Sequence, residues 1–314
     1  MRVRFSSILK PVFTLVLLAC CCVAQTTWAA PVIKTADLGN GIRLHYVEQG
    51  SGTPLIFVHG SLSDGGYWSD QIVPFAQRYH VIAYSRRYNS PNDNPARPGY
   101  SAVTDAEDLA ALMRVLHLEK AVVVGHSYGA LTALFLEARH PELLQAVVLA
   151  EPPAISLLKR LPGVEAKSGM HWFNDIQHRM VEPMKQAFRK GETEAGVAVF
   201  IDYVFNDSHA WEKMPEASRK ETLKDAHEWD VMMTSGTLFP EISPEDIRKI
   251  KVPTLLLLGA KTYPFLTLIT EEMDRLLPNK QEVVFPDAGP QMWYQHPDLC
   301  RTDVEEFLDH AGIH

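Results

Sequence analysis

Six short apolar runs, separated by segments with helical spacing, constrain the fold of this chain more than any other feature of its sequence. The runs are continuous and rich in β-branched residues, which is typical of strands buried on both faces of a parallel sheet. Because strands alternate with helices, the pattern predicts an α/β fold with a doubly wound, mostly parallel sheet. The predicted buried strands are residues 55–58, 81–84, 121–124, 146–149, 254–258 and 282–285, with 44–47 as an antiparallel edge strand and 105–118, 131–138 and 298–310 as helices.

The stretch from residue 155 to 246 interrupts this alternation. It is rich in helix-forming residues, methionines and aromatics, and it contains no convincing buried strand. We interpret it as a helical cap inserted between two parts of one sheet domain, residues 31–154 and 247–314. Most aromatic side chains of such a cap pack in its own core, and some face the cleft between cap and sheet, where ligand pockets tend to lie.

A tight turn with a central serine follows one of the predicted strands. Three valines lead into Gly-His-Ser-Tyr-Gly, residues 125–129, and a predicted helix begins directly after them. Glycines two residues either side of Ser127 allow the sharp turn, which points the serine hydroxyl outward at the carboxyl end of the strand. The start of the helix offers N–H groups and the positive end of its dipole to a developing oxyanion. This context predicts Ser127 as a nucleophile.

A second strand, residues 55–58, runs into His59-Gly60-Ser61. Together with the turn at Ser127, this segment resembles the α/β-hydrolase superfamily, in particular its cap-bearing, esterase-like serine hydrolases. The resemblance covers nearly all of the chain and implies the α/β-hydrolase fold. It also implies that the backbone N–H groups of Ser61 and Tyr128 form an oxyanion hole. No motif implies a metal or an organic cofactor.

The chain departs from the superfamily pattern at the acid and at the base. The loop after residues 254–258 has no carboxylate where family members usually place the acid, but Glu151 ends the preceding strand, a position that some cap-bearing members use. We predict that Glu151 orients the base, the alternative being a structural carboxylate at the cap hinge. Pro290 stands where the resemblance places the general-base histidine, and proline cannot transfer the proton. His296 is the substitute base that we consider.

These features support two main hypotheses. The first is a serine hydrolase acting on an ester or lactone of a small, largely apolar molecule. The second is a catalytically impaired binding or sensor protein of the same fold, favoured by Pro290. A cofactor-free haloperoxidase-like activity is a third option, and a haloalkane dehalogenase is disfavoured because those enzymes use Asp at the position of Ser127. The catalytic residues under the first hypothesis are Ser127, Glu151 and His296, with Ser61 and Tyr128 as oxyanion donors.

The N-terminus has the pattern of an export signal. Basic residues precede an apolar run at residues 11–24, and the small residues that follow predict cleavage after Ala29 or Ala30. Residues 1–29 are therefore interpreted as a signal peptide and the protein as periplasmic or secreted. Two alternatives stay open: a lipid anchor on Cys20, which follows a lipobox-like segment, and an anchor that is never cleaved.

The net charge and the cysteine content exclude one class of partner and an intramolecular disulfide. Removal of residues 1–29 leaves 27 basic against 38 acidic side chains, a net charge of about −11. A chain this acidic is repelled by phosphate backbones, which excludes a nucleic-acid partner. Three of the four cysteines lie in the signal, so Cys300 has no partner for an intramolecular disulfide. The sequence does not indicate whether the protein is a monomer or an oligomer.

Overall fold

A computed structural model describes residues 32–314, which contain an eight-stranded sheet. The strands are β1 (Lys34–Gly39), β2 (Ile42–Gln49), β3 (Pro54–Val58), β4 (His80–Tyr84), β5 (Ala121–His126), β6 (Leu144–Ala150), β7 (Thr254–Gly259) and β8 (Lys280–Phe285). Their order in the sheet is β1-β2-β4-β3-β5-β6-β7-β8. The pairs β1–β2 and β2–β4 are antiparallel and the others are parallel. The predicted α/β fold with a mostly parallel sheet is therefore confirmed.

Helices connect the strands, and many of them fall between β6 and β7. Within the part of the chain that the structure describes, this β6–β7 segment is helical and contains no strand; we call it the cap. Shorter 3-10 segments cover Gly65–Trp68, Pro141–Leu143 and Ile155–Arg160, and a π-helical turn covers Gln177–Val181. The helices are α1 (Ser69–Phe75), α2 (Ala102–Val115), α3 (Tyr128–Arg139), α4 (Glu165–Ile176), α5 (Glu182–Arg189), α6 (Thr193–Val204), α7 (Ala210–Lys213), α8 (Glu216–Lys224), α9 (Ala226–Ser235), α10 (Pro244–Lys249), α11 (Pro264–Leu276), α12 (Met292–Gln295) and α13 (Pro297–His310).

Side chains of the central strands pack alternately into two cores, one on each face of the sheet. In β3, Ile56 and Val58 belong to one core, whereas Leu55 and Phe57 belong to the other, and all four are fully buried. Because helices cover both faces, every position of such a strand favours an apolar residue. This is the physical reason for the continuous apolar runs in the sequence.

Two predictions about the sheet edges were wrong. Residues 44–47 were predicted as an edge strand, but β2 is covered by β1, which has no apolar run to reveal it. The signal for β1 was the turn: Asn40 and Gly41 both have positive φ, as a two-residue hairpin turn of Asn-Gly type requires. Residues 282–285 were predicted to be buried on both faces, but β8 is the other edge strand and is largely exposed.

The predictions about the export signal and the cysteines concern both ends of the chain. The predicted signal, residues 1–29, and Cys20 lie outside the described residues. Cys300 is a buried free thiol in one of the two cores. Among residues 32–314, no helix has both the length and the apolar character needed to span a bilayer.

A buried carboxyl lies where α3 packs against the sheet. Glu137 is buried, and its Oε1 lies 2.6 Å from the hydroxyl oxygen of Thr254. That hydroxyl also lies 3.0 Å from the Val252 carbonyl oxygen. Since a hydroxyl has one hydrogen, both contacts are hydrogen bonds when Glu137 is protonated and donates to Thr254. Burial raises the pKa of Glu137 to about 8, which agrees with a neutral carboxyl.

We expect Glu137→Gln to weaken the pH dependence of stability between pH 5 and the pKa of about 8. In this range the unfolded chain has lost the Glu137 proton and the folded chain has kept it, so the free energy of unfolding falls as pH rises. The slope removed by the substitution is up to about 1.4 kcal/mol per pH unit. Urea unfolding at several pH values measures it, with Glu142→Gln, an exposed neighbour, as the control. An unchanged slope in Glu137→Gln would contradict the buried neutral carboxyl.

Candidate active site

A cavity of about 560 Å³ lies between the carboxyl ends of the strands and the cap. Crevices at the carboxyl ends of parallel strands are where open α/β sheets bind ligands. Most of the wall is apolar or aromatic, and much of it comes from the cap. The cap side includes Ile176, Met180, Phe200, Trp229 and Phe239, and the loops that follow the strands include Ser61, Ser127, Glu151, Tyr263 and Pro290.

The backbone at Ser127 makes a strained turn between β5 and α3. Ser127 has φ 52° and ψ −121°, a positive φ that serine rarely adopts. Its N–H donates to the Ala150 carbonyl oxygen at 2.8 Å, which fixes the turn against the end of β6. A Cβ on Gly129 would lie 2.2 Å from the Val58 carbonyl oxygen, and one on Gly125 would lie 2.5 Å from the Gly129 carbonyl oxygen. The predicted turn is present and needs both glycines, and Ser127 lines the cavity.

Ser61 and Tyr128 line the same cavity as Ser127. Tyr128 is the first residue of α3, so its N–H has no acceptor within the helix. The loop that carries Ser61 approaches closely, because a Cβ on Gly60 would lie 3.3 Å from the Ser127 Cβ. The structure therefore brings these three predicted residues together, and the N-terminus of α3 favours negative charge beside them.

Glu151 directly follows β6 and lines the cavity. Its side chain is buried, its φ is 52°, and both carboxylate oxygens accept hydrogen bonds. Oε1 accepts from the Gly259 N–H at 3.0 Å and Oε2 accepts from the Thr262 hydroxyl at 2.8 Å. Burial raises the pKa of Glu151 to about 7, although the two hydrogen bonds oppose this. The carboxyl therefore titrates near neutral pH.

Pro290 lies in the loop that follows β8 and lines the cavity. Its carbonyl oxygen accepts a hydrogen bond from His126. His126 Nε2 lies 2.8 Å from this oxygen, so that nitrogen carries the hydrogen, and the ring stacks on Tyr67 at 5.3 Å between centroids. Burial lowers the pKa of His126 to about 4. Among the histidines within residues 32–314, His126 is the one that lines the cavity. It is fixed as a neutral ring.

The prediction for His296 has no support from its position. His296 lies half-buried at the junction of α12 and α13, and it is not among the residues that line the cavity. Its N–H donates to the Met292 carbonyl oxygen, and its own carbonyl accepts from Cys300, as expected of a residue at a helix start. Across residues 32–314, no group of three or more His, Cys, Asp or Glu side chains is arranged to hold a metal ion.

A buried ionic cluster beneath the Ser61 loop was missed at the sequence level. Arg86, fully buried after β4, donates to Asp105 at 2.8 Å and to Glu228 at 2.5 Å. Glu228 belongs to α9 of the cap and also accepts from the Leu62 N–H at 2.6 Å. The sequence could not reveal this cluster of three buried charged side chains, because Glu228 lies 142 positions from Arg86 in the chain.

Known proteins match this chain over different lengths. A family profile described as the alpha/beta hydrolase fold matches residues 53–175. A 2-(acetamidomethylene)succinate hydrolase of Mesorhizobium japonicum is 31% identical over 148 residues, which is 46% of this chain and 52%, about half, of that relative. A cis-3-alkyl-4-alkyloxetan-2-one decarboxylase of Shewanella oneidensis is 25% identical over 86% of each chain.

A solved structure described as an N-acyl homoserine lactone degrading enzyme has the same fold, with a TM-score of 0.66 and 22% identity. The superposition covers 87% of this chain and all of the other. The sheet order, the serine turn that ends β5 and these matches agree with one another. Residues 53–175 match the α/β-hydrolase family, the described chain has the α/β-hydrolase fold, and the proteins similar to it include hydrolases.

Proposed function

We propose that the protein is a serine hydrolase that cleaves an ester or lactone of a small, largely apolar molecule, with Ser127 as the nucleophile. One observation carries the proposal. The strained turn presents Ser127 to a mostly apolar cavity whose wall also includes Ser61 and Tyr128. Backbone N–H groups at these two positions would stabilise the oxyanion that forms when the Ser127 Oγ attacks a carbonyl carbon. The alcohol then leaves, and water hydrolyses the acyl-enzyme.

The shape and chemistry of the cavity support the substrate class. A volume of about 560 Å³ suits a small molecule, and Phe200, Trp229 and Phe265 offer apolar surface for an acyl or aromatic group. The similar proteins named above act, by their descriptions, on an acyl homoserine lactone and on an oxetan-2-one, which is also a cyclic ester. A lactone is therefore a substrate to test beside an open-chain ester.

The base is the weak part of the site. Glu151 lines the cavity and would orient an imidazole, but no histidine side chain other than the buried His126 reaches the cavity in the described chain. Hydrolases that lose one member of their catalytic triad retain roughly 10³–10⁴-fold acceleration over water from the oxyanion hole and binding. We therefore expect slow turnover in the native protein.

The same observation favours a second candidate function. A hydrolase fold with Pro290 at the wall of a mostly apolar cavity could bind a lactone or ester without turning it over. Calorimetric titration with a lactone, followed by mass spectrometry of the recovered ligand, separates the two. Binding with unchanged ligand supports a sensor or carrier, whereas an opened ring supports the hydrolase.

Covalent labelling tests the nucleophile without requiring turnover. We expect a fluorophosphonate probe to add once to the native protein, slowly, and on the peptide that contains Ser127, because the turn and the oxyanion donors activate this serine alone. Intact mass and peptide mapping measure the extent and the site. Urea-unfolded protein is the control and should stay unlabelled. Labelling at another serine, or none after long incubation, would refute Ser127 as an activated nucleophile.

Export is a separate proposal that rests on the sequence alone. The basic and apolar pattern of residues 1–29 supports a periplasmic or secreted protein, with acylation of Cys20 as the alternative to cleavage after Ala29 or Ala30. The intact mass of the protein recovered from outside the cytoplasm distinguishes a cleaved, an acylated and an uncleaved N-terminus.

A further inference from the structure

The peptide between Gly60 and Ser61 is anchored on one side by buried donors. The Gly60 carbonyl oxygen accepts from Arg86 Nη2 at 3.0 Å and lies 2.8 Å from His59 Nδ1. In a trans peptide the C=O and the following N–H point in opposite directions. Holding the Gly60 oxygen towards Arg86 therefore aims the Ser61 N–H the other way. The positive charge of Arg86 at this carbonyl also polarises the peptide and makes that N–H a stronger donor.

The next N–H along the loop is occupied by the cap. Glu228 Oε1 accepts from the Leu62 N–H at 2.6 Å, and Glu228 Oε2 accepts from Arg86 at 2.5 Å. The Glu228 side chain is fully buried. One carboxylate thus fixes both the loop and the arginine that holds the loop. With the Leu62 N–H engaged, the Ser61 N–H is the donor that the anchored Gly60–Ser61 peptide can offer to a ligand.

The same arginine contacts the second oxyanion residue. The Arg86 guanidinium lies over the Tyr128 ring, with 5.0 Å from Cζ to the ring centroid, and its Nη1 donates to Asp105. Arg86 therefore lies between the two segments that carry the oxyanion donors. A displacement of Arg86 would disturb both.

We propose that Glu228 is a positioning residue, through which the cap sets the geometry of the oxyanion hole. The proposal rests on the proposed hydrolase function. Glu228 does not line the cavity, but the adjacent residue of α9, Trp229, does. The helix that lines the cavity through Trp229 thus also holds the Ser61 loop through Glu228. A ligand that packs against α9 would therefore also affect the position of the Ser61 N–H, through Glu228.

The substitution Glu228→Gln tests this with almost no change in shape. In the native geometry the Leu62 N–H and Arg86 each meet a different carboxylate oxygen, so with an amide one of these donors faces the NH2 group. We expect kcat for p-nitrophenyl butyrate to fall about 10- to 100-fold, on the order of the loss of an oxyanion-hole donor, while KM changes less than about threefold. The matched control is Asp225→Asn. Asp225 is a buried carboxylate at the N-terminus of the same helix, three residues before Glu228, and it accepts from the Ser90 N–H and not from the Ser61 loop.

Two further measurements separate positioning from simple support of the fold. A trifluoromethyl ketone, which forms a tetrahedral oxyanion on the serine, should lose affinity in Glu228→Gln in proportion to kcat, whereas the matching secondary alcohol should bind as to the native protein. Amide hydrogen exchange over residues 60–63 should be faster in Glu228→Gln and unchanged in Asp225→Asn. The exchange measurement does not depend on turnover.

The outcomes distinguish this inference from the hydrolase proposal. If the native protein hydrolyses the ester through Ser127 but Glu228→Gln keeps its kcat, or loses affinity equally for ketone and alcohol, the positioning role is wrong and the hydrolase proposal stands. If the native protein neither turns over the ester nor binds the ketone, the hydrolase proposal is wrong. Exchange over residues 60–63 then decides whether Glu228 still holds the loop, and unchanged exchange overturns that as well.

Discussion

Replacing Pro290 with histidine should raise kcat/KM for a p-nitrophenyl ester by about two orders of magnitude, in the range that a positioned general base contributes. Position 290 lines the cavity with Ser127 and Glu151. Its loop also lies against the residue that binds Glu151, because a Cβ on Gly259 would be 2.6 Å from the Ala288 carbonyl oxygen. An imidazole at position 290 would take the serine proton, and Glu151 would orient it.

The pH profile of Pro290→His should report the Glu151 carboxyl. Burial raises the pKa of Glu151 to about 7, so below this pH the carboxyl is neutral and cannot stabilise an imidazolium. Activity should therefore rise as pH increases through about 7, with deprotonation of the imidazole contributing to the same limb. Glu151→Gln in the same background should lose most of the gain.

Pro290→Ala is the control for this experiment. The alanine removes the ring and leaves the backbone carbonyl that accepts from His126, so it separates the loss of proline from the gain of a base. An equal increase in Pro290→Ala and Pro290→His would show that the loop, and not the imidazole, limits the rate. No increase in either would mean that position 290 is not beside the reacting atoms.

Replacing Ser127 with alanine should abolish ester hydrolysis, with a loss of at least about 10³-fold in the Pro290→His background. The reason is chemical, since under the proposed mechanism the Ser127 hydroxyl forms the acyl-enzyme and its removal leaves no group to do so. The measurement is kcat/KM for the single and double variants on one ester. Alanine at this position must adopt the same strained positive φ, so the melting temperature of each variant is measured to check that it is folded.

Ser235→Ala controls for removal of a hydroxyl elsewhere, because Ser235 is on the cap helix α9 and its hydroxyl bonds only to the Val231 carbonyl. This variant should keep the activity of its parent. Residual turnover in Ser127→Ala at the parent rate would assign the reaction to another group. The proposal of Ser127 as nucleophile would then be withdrawn.

The sequence predicted those parts of the fold and site that depend on local pattern. Strands such as β3 and β5 were predictable because burial on both faces demands apolar residues throughout. Ser127 was singled out because it lies in a Gly-x-Ser-x-Gly turn between a strand and a helix, whereas Ser61 and Tyr128 were implied by the resemblance to the superfamily. Glu151 was found at the end of its strand, although its role stays a prediction.

The rest depended on contacts between distant segments. The pairing of Glu228 with Leu62 joins residues 166 positions apart, and nothing in the helical spacing of α9 distinguishes a buried carboxylate from an exposed one. The contact of His126 with the Pro290 carbonyl joins residues 164 positions apart and depends on the course of the loop after β8. The edge strand β1 lacks the apolar run that reveals the central strands, since it is covered on one side only.

The link between α9 and the Ser61 loop limits how this protein can be re-engineered. In a fold whose insertion were only a lid, exchanging that insertion for another would alter substrate range and leave the chemistry intact. Here a transplanted insertion lacking an equivalent of Glu228 would leave Arg86 with one carboxylate partner and the Leu62 N–H without an acceptor. Libraries that vary specificity should therefore hold Glu228 fixed and diversify the cavity-facing residues around it.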